Sequence, residues 1–570
     1  METVFLILYS MITVAAVFAF RSLSLYSIHM FQLSSYKRRD YRKWLSENMP
    51  RQNIIPTTTG FSFVCMFFTI LYRNYVYTRS FTVMCAVIAV VAAVFAFFLA
   101  DGIAGGYRFI EKAGAKKPLV MTQRAKRLLI THIIFTFIIP VLLFFLSFFL
   151  LRDLLAALAV LSCSLLLLTA LTPYTIMFSA ILISPVEKAV GNSFIRDAKK
   201  KLASIREKGL IVIGITGSYG KTSVKFFLRD LLSVKYPVCA TPSSFNTPMG
   251  VVRTIRENMK GSDRIFICEM GARNVGDIKE LCDMVEPDHG VITAIGPQHL
   301  ETFGDIDNIK KTKFELYDSV KKKGGMVFLN GDDENIKDEE TSRESYDNIM
   351  WYSTLEELSV NGFTASDIKA DQSGTSFSVT TPSGEKATFA MQLIGGYNVI
   401  NVLSAISVAS YLGIELADLI VPVRRLRPAE HRMCLRPGGE NVTIVDDAYN
   451  SNPVGSKAAV MTMALFKDGE KIVVTPGMVE LGEKQEEYNE AFGRYMAEFH
   501  MDYIILVSGT KGLGEKNTDA IKKGALSEDF AEDRIFVFND VKEAIEHAYL
   551  GIRTKRHKFI LLENDLPENY

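Results

Sequence analysis

Four apolar stretches in the first 190 residues place the strongest constraint on the fold: Val4–Phe20, Ser80–Ala100, Leu128–Leu151 and Leu154–Ile183. A helix needs roughly 20 apolar residues to cross the hydrocarbon core of a bilayer, and these runs meet or approach that length. A fifth run, Ile54–Tyr72, is weaker because it carries Pro56, three threonines and Gly60. The last contains Pro173 and is long enough for a span plus an interfacial helix. Val4–Phe20 follows no basic residue and precedes no convincing cleavage site, so it reads as a retained span and not as a signal peptide.

Charge orients these spans. Arg21, Lys37, Arg38, Arg39, Arg42, Lys43 and Arg51 follow the first, and Arg108, Lys112, Lys116, Lys117, Arg124, Lys126 and Arg127 follow the third. The other connections hold only Arg73 and Arg79, and then Arg152. Basic-rich loops stay in the cytoplasm. Five spans therefore predict a multi-pass protein of the cell membrane, with its N-terminus outside and its C-terminal body in the cytoplasm. The same basic runs suit the anionic headgroups of a lipid bilayer. The span interiors carry almost no charge, which argues against a transport pathway.

The rest of the chain reads as soluble protein. A formal net charge of +1 over 570 residues offers no global case for binding nucleic acid. The seven cysteines include no C-x-x-C pair, which argues against a structural zinc site and a disulfide framework.

From Ala198 onward, short apolar segments alternate with helical ones. Leu210–Thr216, Arg264–Met270, His289–Ile295 and Gly324–Asn330 read as buried strands ending in polar or glycine residues, and Lys221–Leu232 as a helix. This is the pattern of an α/β fold with a mainly parallel sheet, whose functional residues lie at the carboxyl ends of the strands. A smaller α/β unit begins near Val421, with strands in Val442–Pro453, Lys471–Gly482 and Tyr503–Gly509. The predicted domains are a transmembrane region at 1–190, a central domain at 191–420 and a C-terminal domain at 421–570. The charged run Asp332–Asp347 is expected to be a solvated connection.

The segment "TGSYGKTS" joins the first of these strands to its helix. Gly217 and Gly220 let backbone amides approach an anion, and the helix N-terminus adds a favourable dipole. Lys221 would reach the outer phosphates of a nucleotide, and Thr222 would hold magnesium. The strict phosphate-loop pattern is not met, because Ile215 stands where its first glycine belongs.

This loop, together with "SSFNTPMGVVRTI", "EMGARNVGDI", "GPQHLE", "KTKFEL", "GGYNVINVLSAI", "HR", "DDAYNSNP" and "GMVELG", resembles the Mur ligase family from Ile211 to the C-terminus. Within that family it is most similar to the branch that adds D-alanyl-D-alanine to a cell-wall precursor. The resemblance implies a P-loop-type central domain, a smaller Rossmann-like C-terminal domain and ATP-dependent amide-bond formation. A carboxylate is phosphorylated to an acyl phosphate and an amine then attacks it, with the two domains closing over the reaction centre.

By motif match, the resemblance assigns Gly217, Ser218, Gly220, Lys221, Thr222 and Ser223 to ATP phosphates, Asn398 to adenine, Arg432 to phosphate and Asp447 to ribose. It assigns Mg2+ at two sites to Thr222, Glu269, His299 and Lys313, the last as a carbamate, and makes Lys221, His299 and Lys313 the catalytic set. Lys310 and Lys311 lie close to Lys313 in register, and the K-x-E spacing to Glu315 favours Lys313. Asn246, Thr247, Tyr449 and Asn452 are assigned to the substrates. Tyr397 departs from the pattern, since many members carry His there.

The family's usual soluble domain that grips a UDP-sugar is replaced here by membrane spans. The expected partners are thus a UDP-linked or lipid-linked cell-wall precursor and an amino acid or dipeptide. Poly-γ-glutamate-type synthetases share the resemblance and are an alternative. An ATPase-coupled transporter is a further one, which the ligase motifs beyond the phosphate loop disfavour.

Overall fold

In the computed structural model, the described residues are 2–34, 36–48, 119–243, 245–355, 362–448, 452–509 and 513–564. They divide into two compact units, Met1–Asn192 and Ser193–Tyr570.

The first unit is helical, with helices Glu2–Leu33, Arg38–Asn48, Gln123–Leu151 and Leu154–Ala170 and the start of Thr172–Arg206. Ile28, Phe31, Tyr41, Leu45, Ala125, Leu128 and Ile176 form its packed cluster. Arg127 donates to both oxygens of Glu187, at 2.6 and 2.9 Å. Among the described residues, Gln123–Leu151 is long and apolar enough to cross a membrane. The count becomes two if the bent pair Ala156–Thr169 and Thr172–Arg206 forms one span. At 1.5 Å per residue, the first of these is about 43 Å long. It leaves Ile130, Ile134, Leu142, Phe145, Phe149 and Leu150 exposed, an apolar face that calls for lipid or a partner. The expected span Val4–Phe20 falls within the first helix. Ile54–Tyr72 and Ser80–Ala100 lie outside the described residues.

The second unit holds two sheets. The strands of the first are β1 (Ile211–Thr216), β2 (Val238–Ala240), β3 (Ile265–Glu269), β4 (His289–Ile292), β5 (Val327–Asn330), β6 (Ile349–Ser353), β7 (Gly362–Asp371), β8 (Gly374–Thr380) and β9 (Lys386–Met391). Their order is β2-β3-β1-β4-β5-β6-β7-β8-β9. β1 to β7 pair in parallel, whereas β7, β8 and β9 pair antiparallel. The sheet is therefore mixed and not wholly parallel. β1 is buried along most of its length because helices cover both faces. Helix Lys221–Leu232 packs there through Val224, Phe227, Leu228, Leu231 and Leu232, the spacing of one helical face.

The charged run after β5 differs from the solvated connection expected of it. It forms the helix Glu334–Thr341, capped by Asp333, whose side chain accepts from Ile336 N. Asp333 also accepts from Ile295 N at 2.7 Å, and Asp332 binds Ser353 and Thr354. Asp332 and Asp333 thus hold neighbouring backbone, while Glu334, Asp338 and Glu344 remain exposed.

The second sheet contains β10 (Cys434–Gly439), β11 (Val442–Asp447), β12 (Gly469–Thr475), β13 (Tyr503–Val507), β14 (Ile535–Phe538) and β15 (His557–Glu563), in the order β10-β11-β15-β12-β13-β14. All neighbours are parallel except β10 and β11. Val421 lies inside helix Leu416–Arg424, whose Leu416, Leu419 and Val423 belong to the core of the first sheet. Val445, on β11, belongs to the core of the second.

Candidate active site

The strand order brings three loops together. β1 lies between β3 and β4, so the loops leaving the carboxyl ends of these three strands meet at one place. The phosphate loop follows β1, Glu269 ends β3, and His299 lies in the segment after β4. This is a crevice of the kind in which open α/β sheets bind ligands.

The loop is fixed from β4. Ser218 N donates to Ala294 O at 2.6 Å, and the Ser218 hydroxyl donates to Gly296 O at 3.0 Å. Thr293 Oγ1 donates to Tyr219 O. Gly217 has a φ of 149° and its backbone runs against the Thr293 hydroxyl and the Ala294 backbone, so no side chain fits there. Gly220 has a φ of 78°, and a Cβ on it would meet Asn401 Oδ1. Lys221 Nζ is folded onto the loop and donates to Gly217 O at 2.5 Å and Ser218 O at 2.9 Å. Burial pushes its ammonium down to about 8; Glu269 opposes this and Arg432 adds to it. Ser223 is half-buried in the first turn of the helix.

Thr222 Oγ1 donates to the two oxygens of Glu269, at 3.1 and 3.2 Å. Glu269 also accepts from Asn246 Nδ2 at 3.1 Å and from Lys225 Nζ at 2.8 Å. Lys225 and Glu269 form a completely buried ion pair, with side-chain exposures of 0% and 1%. Burial lowers the Lys225 ammonium, and Glu269 opposes that shift. Lys225 was not among the residues expected from sequence. It lies one helical turn after Lys221, on the buried side, and that spacing was its only signal. Thr247 precedes helix Pro248–Arg253 and accepts from Val251 N through its carbonyl.

His299 does not meet Glu269 through any hydrogen bond; its Nδ1 pairs with Glu480 Oε2 at 2.5 Å. Glu480 comes from the loop after β12, so a loop of the second sheet reaches the carboxyl ends of the central strands of the first. Its carboxyl is held below the usual range, first by the hydrogen bond with His299. Among the described residues, no three His, Cys, Asp or Glu side chains form a metal-binding cluster.

Lys313 lies on helix Ile306–Lys322 and is buried, its Nζ 5.8 Å from the Phe303 ring centre. Burial and then Lys221 push its ammonium down to about 7, against the pull of Asp277 and Glu315. Lys311 is exposed, and Lys310 pairs with Asp338 at 3.7 Å. Of the three lysines, only Lys313 is turned into the site. Glu315 accepts from Gly276 N and Lys279 N at 2.8 and 2.7 Å and so caps the neighbouring helix.

The C-terminal residues gather at the ends of β11 and β15. Arg432 acts electrostatically on both Lys221 and Asp447. Asp447 accepts from Met433 N at 3.1 Å and hydrogen-bonds Glu563, its register partner on β15. Burial raises the Asp447 carboxyl to about 6, although Arg432 opposes the shift. Its neighbour Asp446 instead pairs with His431 and Arg436, both at 2.9 Å. Two side chains expected to face ligands are engaged locally. Asn398 Nδ2 donates to Ile394 O at 2.9 Å, and Asn452 Oδ1 caps helix Pro453–Met463 by accepting from Gly455 N at 2.8 Å. Tyr449 lies outside the described residues.

A phosphate loop on a mixed α/β sheet, met by a second α/β sheet carrying an arginine, defines a two-domain P-loop enzyme. Comparison with known proteins agrees. The family model for the Mur ligase middle domain matches residues 215–409, and that for the Mur ligase, glutamate ligase domain, matches 431–562. The UDP-N-acetylmuramoyl-tripeptide–D-alanyl-D-alanine ligase of Bacillus subtilis (strain 168) is 30% identical over 346 residues, covering 60% of this chain and 71% of that protein. The protein of the same name from Mycobacterium tuberculosis (strain ATCC 25618 / H37Rv) is 30% identical, over 56% of this chain and 62% of that one. The crystal structure of MurF ligase from Thermotoga maritima in complex with ADP is similar with a TM-score of 0.56 and 25% identity, covering 66% of this chain and 80% of that one. The chain belongs to the Mur ligase family. It is an ATP-dependent ligase.

Proposed function

We propose that this protein is a membrane-anchored, MurF-like amide ligase. It activates an acceptor carboxylate as an acyl phosphate, releasing ADP, and joins it to the amine of an amino acid or dipeptide. The acceptor is a UDP-linked or lipid-linked cell-wall precursor, and the product serves peptidoglycan or another cell-surface polymer. The observation that carries this reading is the meeting of Lys221, Thr222 and Glu269 at adjacent strand ends, with Arg432 of the C-terminal half acting on Lys221. The similarity to ligases named for D-alanyl-D-alanine supports the dipeptide.

Each residue has a role that its setting supports. The loop amides and Lys221 bind the outer phosphates. Lys221 is satisfied by loop carbonyls at 2.5 and 2.9 Å, contacts that phosphate oxygens would replace. Arg432 adds a second cation, Asp447 accepts from the ribose, and Asn398 packs by the adenine. Thr222 and Glu269 fit a magnesium ion, being a hydroxyl and a carboxylate already 3.1 Å apart. Magnesium is commonly held by one or two protein oxygens and substrate phosphates, so no closed protein cage is needed. Bound there, it would neutralise charge on the transferring phosphoryl oxygens. His299 and carbamylated Lys313 would hold a second ion. Asn246, Thr247, Tyr449 and Asn452 orient the acceptor and the amine.

The proposed domains are 1–190, 191–420 and 421–570. The first anchors the protein by about five spans, with the N-terminus outside and the catalytic domains in the cytoplasm, where family members carry a UDP-binding domain. The exposed apolar face of Gln123–Leu151 supports the anchor. The test is ADP release by the full-length protein. It should require both acceptor and amine, whereas release without either defeats the ligase reading. Precursors that accumulate on depletion distinguish the acceptors: a soluble UDP-tripeptide supports one, a lipid-linked intermediate the other.

A further inference from the structure

The contact between His299 and Glu480 joins the two halves of the second unit, Nδ1 to Oε2 at 2.5 Å. Arg273 Nη2 lies 3.7 Å from the other oxygen of the same carboxylate. Arg273 follows β3, which ends in Glu269, and His299 follows β4. One carboxylate from the C-terminal half thus sits between the segments that follow β3 and β4, the first directly after Glu269 and the second carrying His299.

Its own loop is held from behind. Met478 N donates to Asn489 Oδ1 at 2.8 Å, and Met478 O accepts from Asn489 Nδ2 and Asn517 Nδ2, each at 3.1 Å. Asn564 Nδ2 donates to Gly477 O. All three asparagines and Met478 are buried. A loop clamped by three buried amides presents its next residues in one place, as a preorganised support requires. Glu480 at φ 63° and His299 at φ 54° both hold left-handed backbone, which side-chain residues adopt only where their surroundings fix them.

We propose that Glu480 is a positioning residue for His299. By accepting from Nδ1–H it fixes the tautomer and the plane of the ring, and leaves Nε2 as the nitrogen that ligates a divalent cation. The inference rests on the reading of His299 as a metal ligand. Because Glu480 belongs to the C-terminal half, the cation site is completed only when that half is docked, which ties metal affinity to domain closure.

The test uses Mn2+ as probe, titrated by electron paramagnetic resonance into full-length protein with ADP and without turnover. Glu480→Ala should weaken Mn2+ binding by about 10- to 100-fold, the usual effect of losing a ligand's outer partner. Glu480→Gln should recover much of it, because the amide oxygen can accept the same N–H. His299→Ala should weaken binding and abolish the imidazole nitrogen coupling to the metal, and Glu480→Ala should diminish that coupling. The double variant should bind no worse than His299→Ala, since residues acting through one contact are not additive. If His299→Ala weakens binding while Glu480→Ala stays within about twofold of the native protein, or if the two losses add, the positioning role is overturned. If His299→Ala itself binds Mn2+ normally, the ligand reading fails instead.

Discussion

Lys313 offers the sharpest test of the proposed chemistry. Burial and the nearby Lys221 lower its ammonium from 10.5 to about 7. At pH 7.5 about three-quarters of such side chains are free amine, against about one in a thousand for an ordinary lysine. Only the free, neutral amine attacks CO2, forming an N–C bond as one C=O π bond opens and losing a proton from nitrogen, so that an anion stands where an ordinary lysine carries a cation. The site thus multiplies the reactive form several hundred-fold, roughly the ratio of those fractions. The same shift opposes folding. The unmodified fold favours the neutral form, so its penalty is full below about pH 7 and is relieved as pH rises toward 10.5. At full strength that penalty is on the order of 5 kcal/mol. Lys313→Met should therefore raise the unfolding temperature in CO2-free buffer at pH 6.5 to 7, roughly where the penalty is full, while turnover falls sharply. Lys313→Ala should be partly rescued by a small added carboxylate. Carbon NMR of the protein in labelled bicarbonate should show a carbamate whose yield has its midpoint near pH 7. A native protein without that signal, or a Lys313→Ala variant with unchanged activity, would refute the assignment.

Lys221→Ala should abolish ADP release, because the phosphates lose their buried counter-charge; turnover within about tenfold of the native rate would contradict this. Lys225→Met leaves Glu269 buried without its cation and should cost about 3–5 kcal/mol in denaturant unfolding, a loss that Glu269→Gln in the same chain should largely restore. Gly217→Ala should eliminate ATP binding in calorimetry, since the Cβ has no room beside Thr293 and Ala294. Burial raises the Asp447 carboxyl from 3.8 to about 6, so the fold favours its neutral form; the resulting penalty on folding is full above about pH 6 and is relieved as pH falls toward 3.8. Asp447→Asn should flatten that dependence in thermal unfolding and remove the rise in KM for ATP expected below about pH 6.

The parts legible in the sequence were those where one local pattern determines both structure and chemistry. Apolar β1, the glycines after it and the helix from Lys221 occupy consecutive positions, so one reading located strand, loop and lysine. The strands ending at Glu269 and Asn330 were readable for the same reason. Harder were features whose partner lies far along the chain. β8 alternates buried and half-buried residues and pairs antiparallel with β7 and β9 at the sheet edge, unlike the continuous apolar runs of the parallel strands. Lys225 reads as a solvated charge until its partner, 44 positions later, is seen beneath it. His299 was found as a motif residue, but its contact, 181 positions away in a loop of the other half, is invisible in the motif. Asn398 and Asn452 show the converse, because a polar residue in a motif can be occupied by nearby backbone.

Backbone strain shows how these long-range contacts cooperate. Ser243, His299, His431, Met433 and Glu480 all have positive φ, between 41° and 63°, without being glycine. Each is held by a charged member of the site. Ser243 O accepts from Lys225, His299 pairs with Glu480, His431 with Asp446, and Met433 N donates to Asp447. Such conformations cost on the order of 1–3 kcal/mol each and persist only where the surroundings over-determine them. The ion pairs and the strained turns therefore depend on one another. Removing a charge releases a loop as well as a contact, and the affected loop is one that carries a ligand. Losses from Lys225→Met and Glu480→Ala should consequently extend to nucleotide affinity although neither residue is placed against the phosphates. In each case the effect should exceed what an exposed ion pair is worth, about 0–1 kcal/mol. A variant that loses its ion pair yet binds ADP as tightly as the native protein would show that the strained loops are held by packing alone.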